Sequence, residues 1–133
     1  VLHWRIGATN KKKVDPATKG IPLAYIDARD VMKRLDEVVG MDGWQCNYIL
    51  GGNGAVCNIG LLIKDEWIWK ADGAGETDVE GAKGALSDAF KRAAVRFGVG
   101  RYLYYLPNDW VDLYEFGKFD IPKLPKWAIP KEE

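Results

Sequence analysis

The chain has 133 residues, 47% of them apolar and 29% charged, the profile of one folded domain whose core needs neither disulfides nor a structural metal. Its 19 basic and 19 acidic residues cancel, which excludes a uniformly cationic coat. Two cysteines, Cys46 and Cys57, are too few for a disulfide framework and fit a reducing compartment. The apolar runs fall well short of the ~20 residues that cross a bilayer, and the opening has no leader pattern, so membrane and secretory readings fall away. The first residue is Val1 rather than Met, which reads as a fragment or an ordered core.

By segment the charge is uneven. Residues 1–34 hold eight Lys/Arg against three Asp/Glu, residues 35–80 hold two against nine, and residues 81–106 hold five against one. Two basic blocks brought to one face would attract phosphate; left apart they are solvated surface.

Trp4 to Gly7 reads as a short strand, followed by a tip rich in turn formers and lysine, Asn10 to Gly20, with Pro22 to Tyr25 as the returning strand. Asp27 offers an N-cap oxygen, Val31, Met32, Leu35, Val38 and Val39 recur at helical spacing, and Gly40 supplies a left-handed stop. Three strands follow. Trp44 to Leu50 alternates Trp44, Cys46, Tyr48 and Leu50 on one face, Gly51 to Gly54 makes a hairpin loop, and Ala55 to Ile63 and Glu66 to Ala71 join around Lys64-Asp65. Thr77 and Glu80 form a capping box for the longest helix, whose stripe is Val79, Ala82, Leu86, Ala89, Phe90, Ala93 and Phe97, ending at Gly98 and Gly100. Beyond Leu106, prolines at 107, 122, 125 and 130 prevent long regular elements, while Trp110, Tyr114, Phe116, Phe119 and Trp127 keep the segment apolar.

Nucleotide chemistry has no cradle. No Gly-x-x-x-x-Gly-Lys-Ser/Thr occurs, and Gly73-Ala74-Gly75 meets Asp78 where a dinucleotide fingerprint needs glycine. Asp72, Glu76, Asp78 and Glu80 resemble the clustered carboxylates of a magnesium-dependent nuclease, yet acidic residues at a helix start also complement its dipole. His3 is the single histidine, so neither a histidine base nor a zinc cluster is expected.

On the second helix Lys83, Ser87 and Lys91 lie at four-residue steps on one flank, and Asp88, Arg92 and Arg96 on the other. Structurally, Asp88 and Arg92 make an ordinary surface ion pair of about 0.3–0.5 kcal/mol. Functionally, ordered cations with a hydroxyl suit a phosphate backbone, which they position without reading bases. Spacing alone fits both.

Tyr25-Ile26-Asp27-Ala28-Arg29-Asp30-Val31, Gly40-Met41-Asp42-Gly43-Trp44, and Leu86-Ser87-Asp88-Ala89-Phe90-Lys91-Arg92-Ala93 ending in Arg96-Phe97-Gly98 together resemble the Rad52 superfamily of single-strand annealing proteins, particularly its bacteriophage members. The resemblance spans residues 4–106 and is most specific over 85–98. It implies a β-β-β-α core assembled into rings, with a positively charged groove that holds single-stranded DNA for a complementary strand to pair. Lys91 and Arg92 match the paired basic groove residues, and Lys83 matches a further DNA-contacting position. Arg29 lies one residue before a groove arginine of a eukaryotic relative, where this chain has Asp30. Val95 replaces an arginine that would extend the Lys83, Ser87, Lys91 row, with Arg96 beside it. Both departures bear on the DNA path and not on the fold. For the tip Lys11, Lys12 and Lys13, a second DNA contact, a subunit contact and a solvated turn all stay open.

The expected fold is therefore α+β: a three-stranded antiparallel meander on a long helix, preceded by a hairpin and a helix, assembling as an oligomeric ring. Residues 1–106 are expected to form the annealing core, and 107–133 a Pro/aromatic-rich extension packing on the core or on a neighbouring subunit. The expected function is ATP-independent single-stranded DNA binding and annealing in recombination and repair, with no catalytic residue, cofactor or metal. DNA-binding residues are expected at Lys83, Lys91, Arg92, Arg96, Arg29, Lys11, Lys12 and Lys13. Expected partners are single-stranded DNA, its complement and further copies of the chain, with a single-strand binding protein or an exonuclease as protein partners. The expected location is the cytoplasm, that of a bacterial host for a phage-encoded chain. Two rivals stand beside this reading: a metal-dependent nuclease, favoured by magnesium-dependent cleavage, and a structural oligomer whose basic rows are intersubunit salt bridges, favoured by assembly without salt-sensitive DNA binding.

Overall fold

The computed structural model describes residues 2–52, 54–75 and 82–129, and only the backbone of residues 82 and 83. Its elements are β1 (His3–Thr9), β2 (Lys19–Tyr25), α1 (Ala28–Val39), β3 (Trp44–Gly51), β4 (Gly54–Ile63), β5 (Glu66–Gly75), α2 (Ala82–Arg96) and β6 (Val111–Asp112), with short 3-10 turns after α2. The chain is α+β. Two three-stranded antiparallel sheets, in the orders β1-β2-β6 and β3-β4-β5, accompany the two α-helices of the described residues. Residues 26–101 form one compact unit, and residues 1–25 with 102–129 fall in a second. None of the described helices is long and apolar enough to cross a membrane.

In the 26–101 unit β4 alternates into the core, whereas the alternation expected along β3 fades after Cys46, with Tyr48 and Leu50 exposed. Ala55, Cys57, Ile59 and Leu61 of β4 point into the core, joined there by Val31 and Leu35 of α1 and by Ala85, Ala89, Phe90, Ala93 and Ala94 of α2. Alanines on α2 allow close approach to neighbouring elements, and Phe90 fills the space between, its ring centroid 6.0 Å from that of Trp44. Complete burial of such a side chain is worth about 1.5–3 kcal/mol. Burial also pushes the Cys57 thiol up to about 11, so it stays a neutral core group. The α2 stripe differs from the periodic expectation. Leu86 and Phe97 are only partly buried, while Ala85 and Ala94 are fully enclosed, because α1 packs on this helix as well as the sheet. Val79 and the Thr77–Glu80 capping box lie outside the described residues.

The first helix follows its sequence signals closely. Asp27 caps it, accepting from the Asp30 N–H at 2.9 Å while Asp30 accepts from the Asp27 N–H at 3.0 Å, a reciprocal box that satisfies two orphan donors. Gly40, at φ 82°, ends it. Met32 and Val38 remain exposed. Trp44 Nε1 donates to Asp36 Oδ1 at 2.7 Å, tying β3 to α1. On the opposite sheet face Trp69 pairs with Gly60, and a β-carbon there would stand 2.9 Å from the indole. Glycine lets the ring lie flat on the neighbouring strand.

In the second unit the β1–β2 hairpin is closed by Asn10. Its amide oxygen accepts from the Thr18 and Lys19 N–H groups at 2.9 and 3.0 Å. The Pro-rich segment returns to this hairpin: β6 pairs with β2, and Lys19 meets Asp112 at 3.1 Å.

Candidate nucleic-acid interface

The basic residues expected on the second helix lie on a firmly seated element. Five neighbouring α2 side chains are essentially inaccessible, so the backbone that carries Lys91, Arg92 and Arg96 has little freedom to turn. Arg92 and Arg96 are exposed, and Lys91 is half-buried. Lys83 is on the same helix, but its side chain lies outside the described residues.

The ion pairing differs from the spacing argument. Asp88 does not reach Arg92; its Oδ1 is 3.7 Å from Lys91 Nζ. Arg96 instead donates from Nε to Asp72 Oδ2 of β5 at 3.2 Å. The physical reason is the partner across the α2–β5 seam. Arg92 and Arg96 flank that seam, where Asp72 offers a carboxylate that a helix considered alone does not contain. The Asp72 carboxyl is held below its ordinary range, first by the Gly73 N–H at 2.8 Å and then by Arg96 and the charge of Arg92, while partial burial acts the other way. Among the described residues no carboxylate comes within ion-pair distance of Arg92. Exposed pairs of this kind are worth about 0.2–1 kcal/mol and give way readily to a stronger anion.

Two cations enter from outside the helix. Lys70 of β5 donates from Nζ to the Arg96 carbonyl at 3.2 Å and lies 5.1 Å from the Phe97 ring centroid. Arg101 donates from Nε and Nη2 to the Val95 carbonyl at 3.2 and 2.9 Å, and from Nη2 to the Arg96 carbonyl at 3.1 Å. Together they occupy the negative end of the α2 dipole. Both signals were present in the sequence. Lys70 has the same strand parity as Asp72, and an arginine just past a glycine stop is placed to reach the last carbonyls.

The remaining expected residues are separate. Arg29 is exposed on the first turn of α1, and Asp30, at the position of the relative's groove arginine, is a member of the N-cap box. Val95 contributes its carbonyl to Arg101. Lys11, Lys12 and Lys13 are exposed at the hairpin tip of the other unit. Of the acidic string considered for a nuclease, Asp72 is engaged by Arg96 and Gly73, and Glu76, Asp78 and Glu80 lie outside the described residues.

Comparison with known proteins gives one family and two close relatives. The Rad52/22 family of double-strand break repair proteins matches residues 1–51 and 58–115. A protein of Deinococcus radiodurans named single-stranded DNA-binding protein DdrA is 36% identical over 99% of this chain and 63% of its own length. Its counterpart from Deinococcus deserti is 36% identical over 99% of the chain and 65% of its own length. The chain thus spans a little under two thirds of these relatives. No solved structure matches it significantly. The α+β architecture, the ordered motifs and the family match agree, and the chain belongs to the Rad52/22 family of double-strand break repair proteins.

Proposed function

We propose that this domain binds single-stranded DNA and promotes its annealing to a complementary strand in recombination and repair, without ATP, metal or a catalytic residue. The observation that carries the reading is the exposed basic flank of α2, fixed to a buried core and bearing Arg92 with no ion-pair partner among the described residues. The two relatives named for single-stranded DNA binding support the same ligand. Lys91, Arg92 and Arg96 capture phosphates and leave the bases to test Watson–Crick partners, and duplex formation then releases the product. Lys83, on the same helix, and Arg29, on α1, are further contacts on the DNA path. Lys11, Lys12 and Lys13 form a further DNA or subunit contact.

The working form is an oligomeric ring. Among the described residues both sheets have open edges, β3 and β5 in one and β1 and β6 in the other, and unpaired edges invite strand addition. The 107–133 extension covers its own domain or a neighbour. The site of action is wherever DNA is repaired, in the cytoplasm and nucleoid. Complementary oligonucleotides should pair faster with the protein present, in chelator and without nucleotide. An absolute requirement for ATP, or strand cleavage on addition of magnesium, contradicts the reading.

A further inference from the structure

We propose that the C-terminal end of α2 is a phosphodiester-binding point built by Lys70 and Arg101. The inference rests on the single-stranded DNA reading above and adds two residues that lie on neither basic row of the helix.

Lys70 Nζ and Arg101 Nη2 contact the same oxygen, the Arg96 carbonyl, at 3.2 and 3.1 Å, so the two nitrogens are no farther apart than those distances added together. Both side chains are exposed, and among the described residues neither has a carboxylate partner. Like charges held this close repel. The end of a helix carries only about half an elementary negative charge, so two full cations leave positive charge in excess. Asp72 does not cancel it, being engaged by Arg96 and Gly73. Around this end, among the described residues, Lys70, Arg92, Arg96 and Arg101 face one acid, Asp72.

The donor geometry suits a tetrahedral oxyanion. Arg101 uses Nε and Nη2 on the helix carbonyls, leaving its Nη1 hydrogens to donate, and the Lys70 ammonium has three hydrogens. A phosphate oxygen shared between them satisfies both cations. There is also a reason for cations at this position. Bare carbonyls at the end of α2 would repel a strand running along its basic flank, whereas Lys70 and Arg101 turn the same end into an attractive point. The strand can then continue past the helix toward β5.

The test is the salt dependence of binding to a labelled thymidine oligonucleotide, for wild type, Lys70→Gln, Arg101→Gln, the double variant and Lys91→Ala. Thermal unfolding of each variant is followed in parallel. One lost phosphate contact flattens the log–log slope by about 0.7 for single strands. Each single variant should show that loss. The double should lose about the same 0.7 rather than twice as much, because both residues serve one phosphate. Lys70→Arg and Arg101→Lys should restore the slope, and they keep the test open where Arg101→Gln does not fold. A lower unfolding temperature with unchanged slopes makes the pair simple helix caps and overturns the inference. Calorimetry with inorganic phosphate alone separates the sources: binding that the double variant abolishes, with oligonucleotide slopes unchanged, marks a free-phosphate site and also overturns it. Loss of slope in Lys91→Ala with none in the Lys70 and Arg101 variants sinks this inference alone. A wild type that does not bind the oligonucleotide sinks the functional reading with it.

Discussion

In the unit of residues 26–101, two helices and a meander enclose a contiguous cluster from Val31 to Ala94, and the charged residues stand on the outside of that frame. The unit of residues 1–25 and 102–129 is built differently. Ala128 and Pro22 are buried there, while Tyr104, Tyr105, Trp110, Phe116, Ile121 and Trp127 each expose half or more of their surface. Aromatic content is therefore a poor guide to where the core lies in this chain. The first unit can hold α2 rigid by itself. The second carries exposed apolar surface instead of an enclosed core.

The sharpest way to break this contrast is to truncate one phenylalanine in each unit. Phe90→Ala removes a fully buried ring and should cost about 3–5 kcal/mol, enough to unfold much of the population. Phe116 is 90% exposed, and Phe116→Ala should stay within about 0.5 kcal/mol in the monomeric protein. Denaturant melts of the two variants measure both, and equal losses would end the distinction.

Gly60→Ala tests the packed sheet face next. Its β-carbon meets the Trp69 ring at 2.9 Å, so the indole must move, at a cost of about 1–3 kcal/mol. Tryptophan fluorescence and a denaturant melt report the displacement together. A smaller effect, about 1 kcal/mol, is expected when Asp27→Ala removes the α1 cap; a melt unchanged from wild type would show that the box contributes nothing.

The smallest change concerns binding. Asp72→Asn removes the one carboxylate that the described residues place beside Arg92 and Arg96, and should tighten single-stranded DNA binding roughly twofold, corresponding to about 0.5 kcal/mol. Acid does the same by titration. The folded-state value of Asp72 is lowered, so the ion pair is present above the ordinary carboxylate range and is lost as pH falls through that lowered value. Anisotropy titrations of the variant and of wild type across that acidic range check both forms of the prediction. Weaker binding on loss of the carboxylate would contradict a phosphate-facing role for Arg96.

The local signals of the chain were legible in order. The Asp27 cap, the Gly40 stop and the tight Lys64-Asp65 turn all rest on neighbours a few residues apart, and each is realised. Ala85 and Ala94 were missed because a single periodic stripe assumes one packing surface, whereas α2 has both a sheet and α1 against it. The partner of Arg96 was missed for a related reason. Asp72 is 24 residues away in sequence, and only the β5–α2 packing makes the two neighbours. Lys70 and Arg101 escaped notice because their roles depend on the carbonyls at the end of α2 and not on any row of side chains. The pairing of β6 with β2 likewise joins segments from the two ends of the chain, which no local pattern reports.

The central claim is that the α2 flank grips the phosphate backbone. It is tested most directly by the salt dependence of single-stranded DNA binding in Lys91→Ala, Arg92→Ala and their double variant, with Asp88→Ala as control. Each single loss should weaken binding across all sequences and flatten the log–log slope by about 0.7, and the double by about 1.4. Asp88→Ala, which releases Lys91 from its 3.7 Å partner, should bind more tightly. Unchanged affinity and slope in the double variant, with the fold and the assembly intact, would contradict the account.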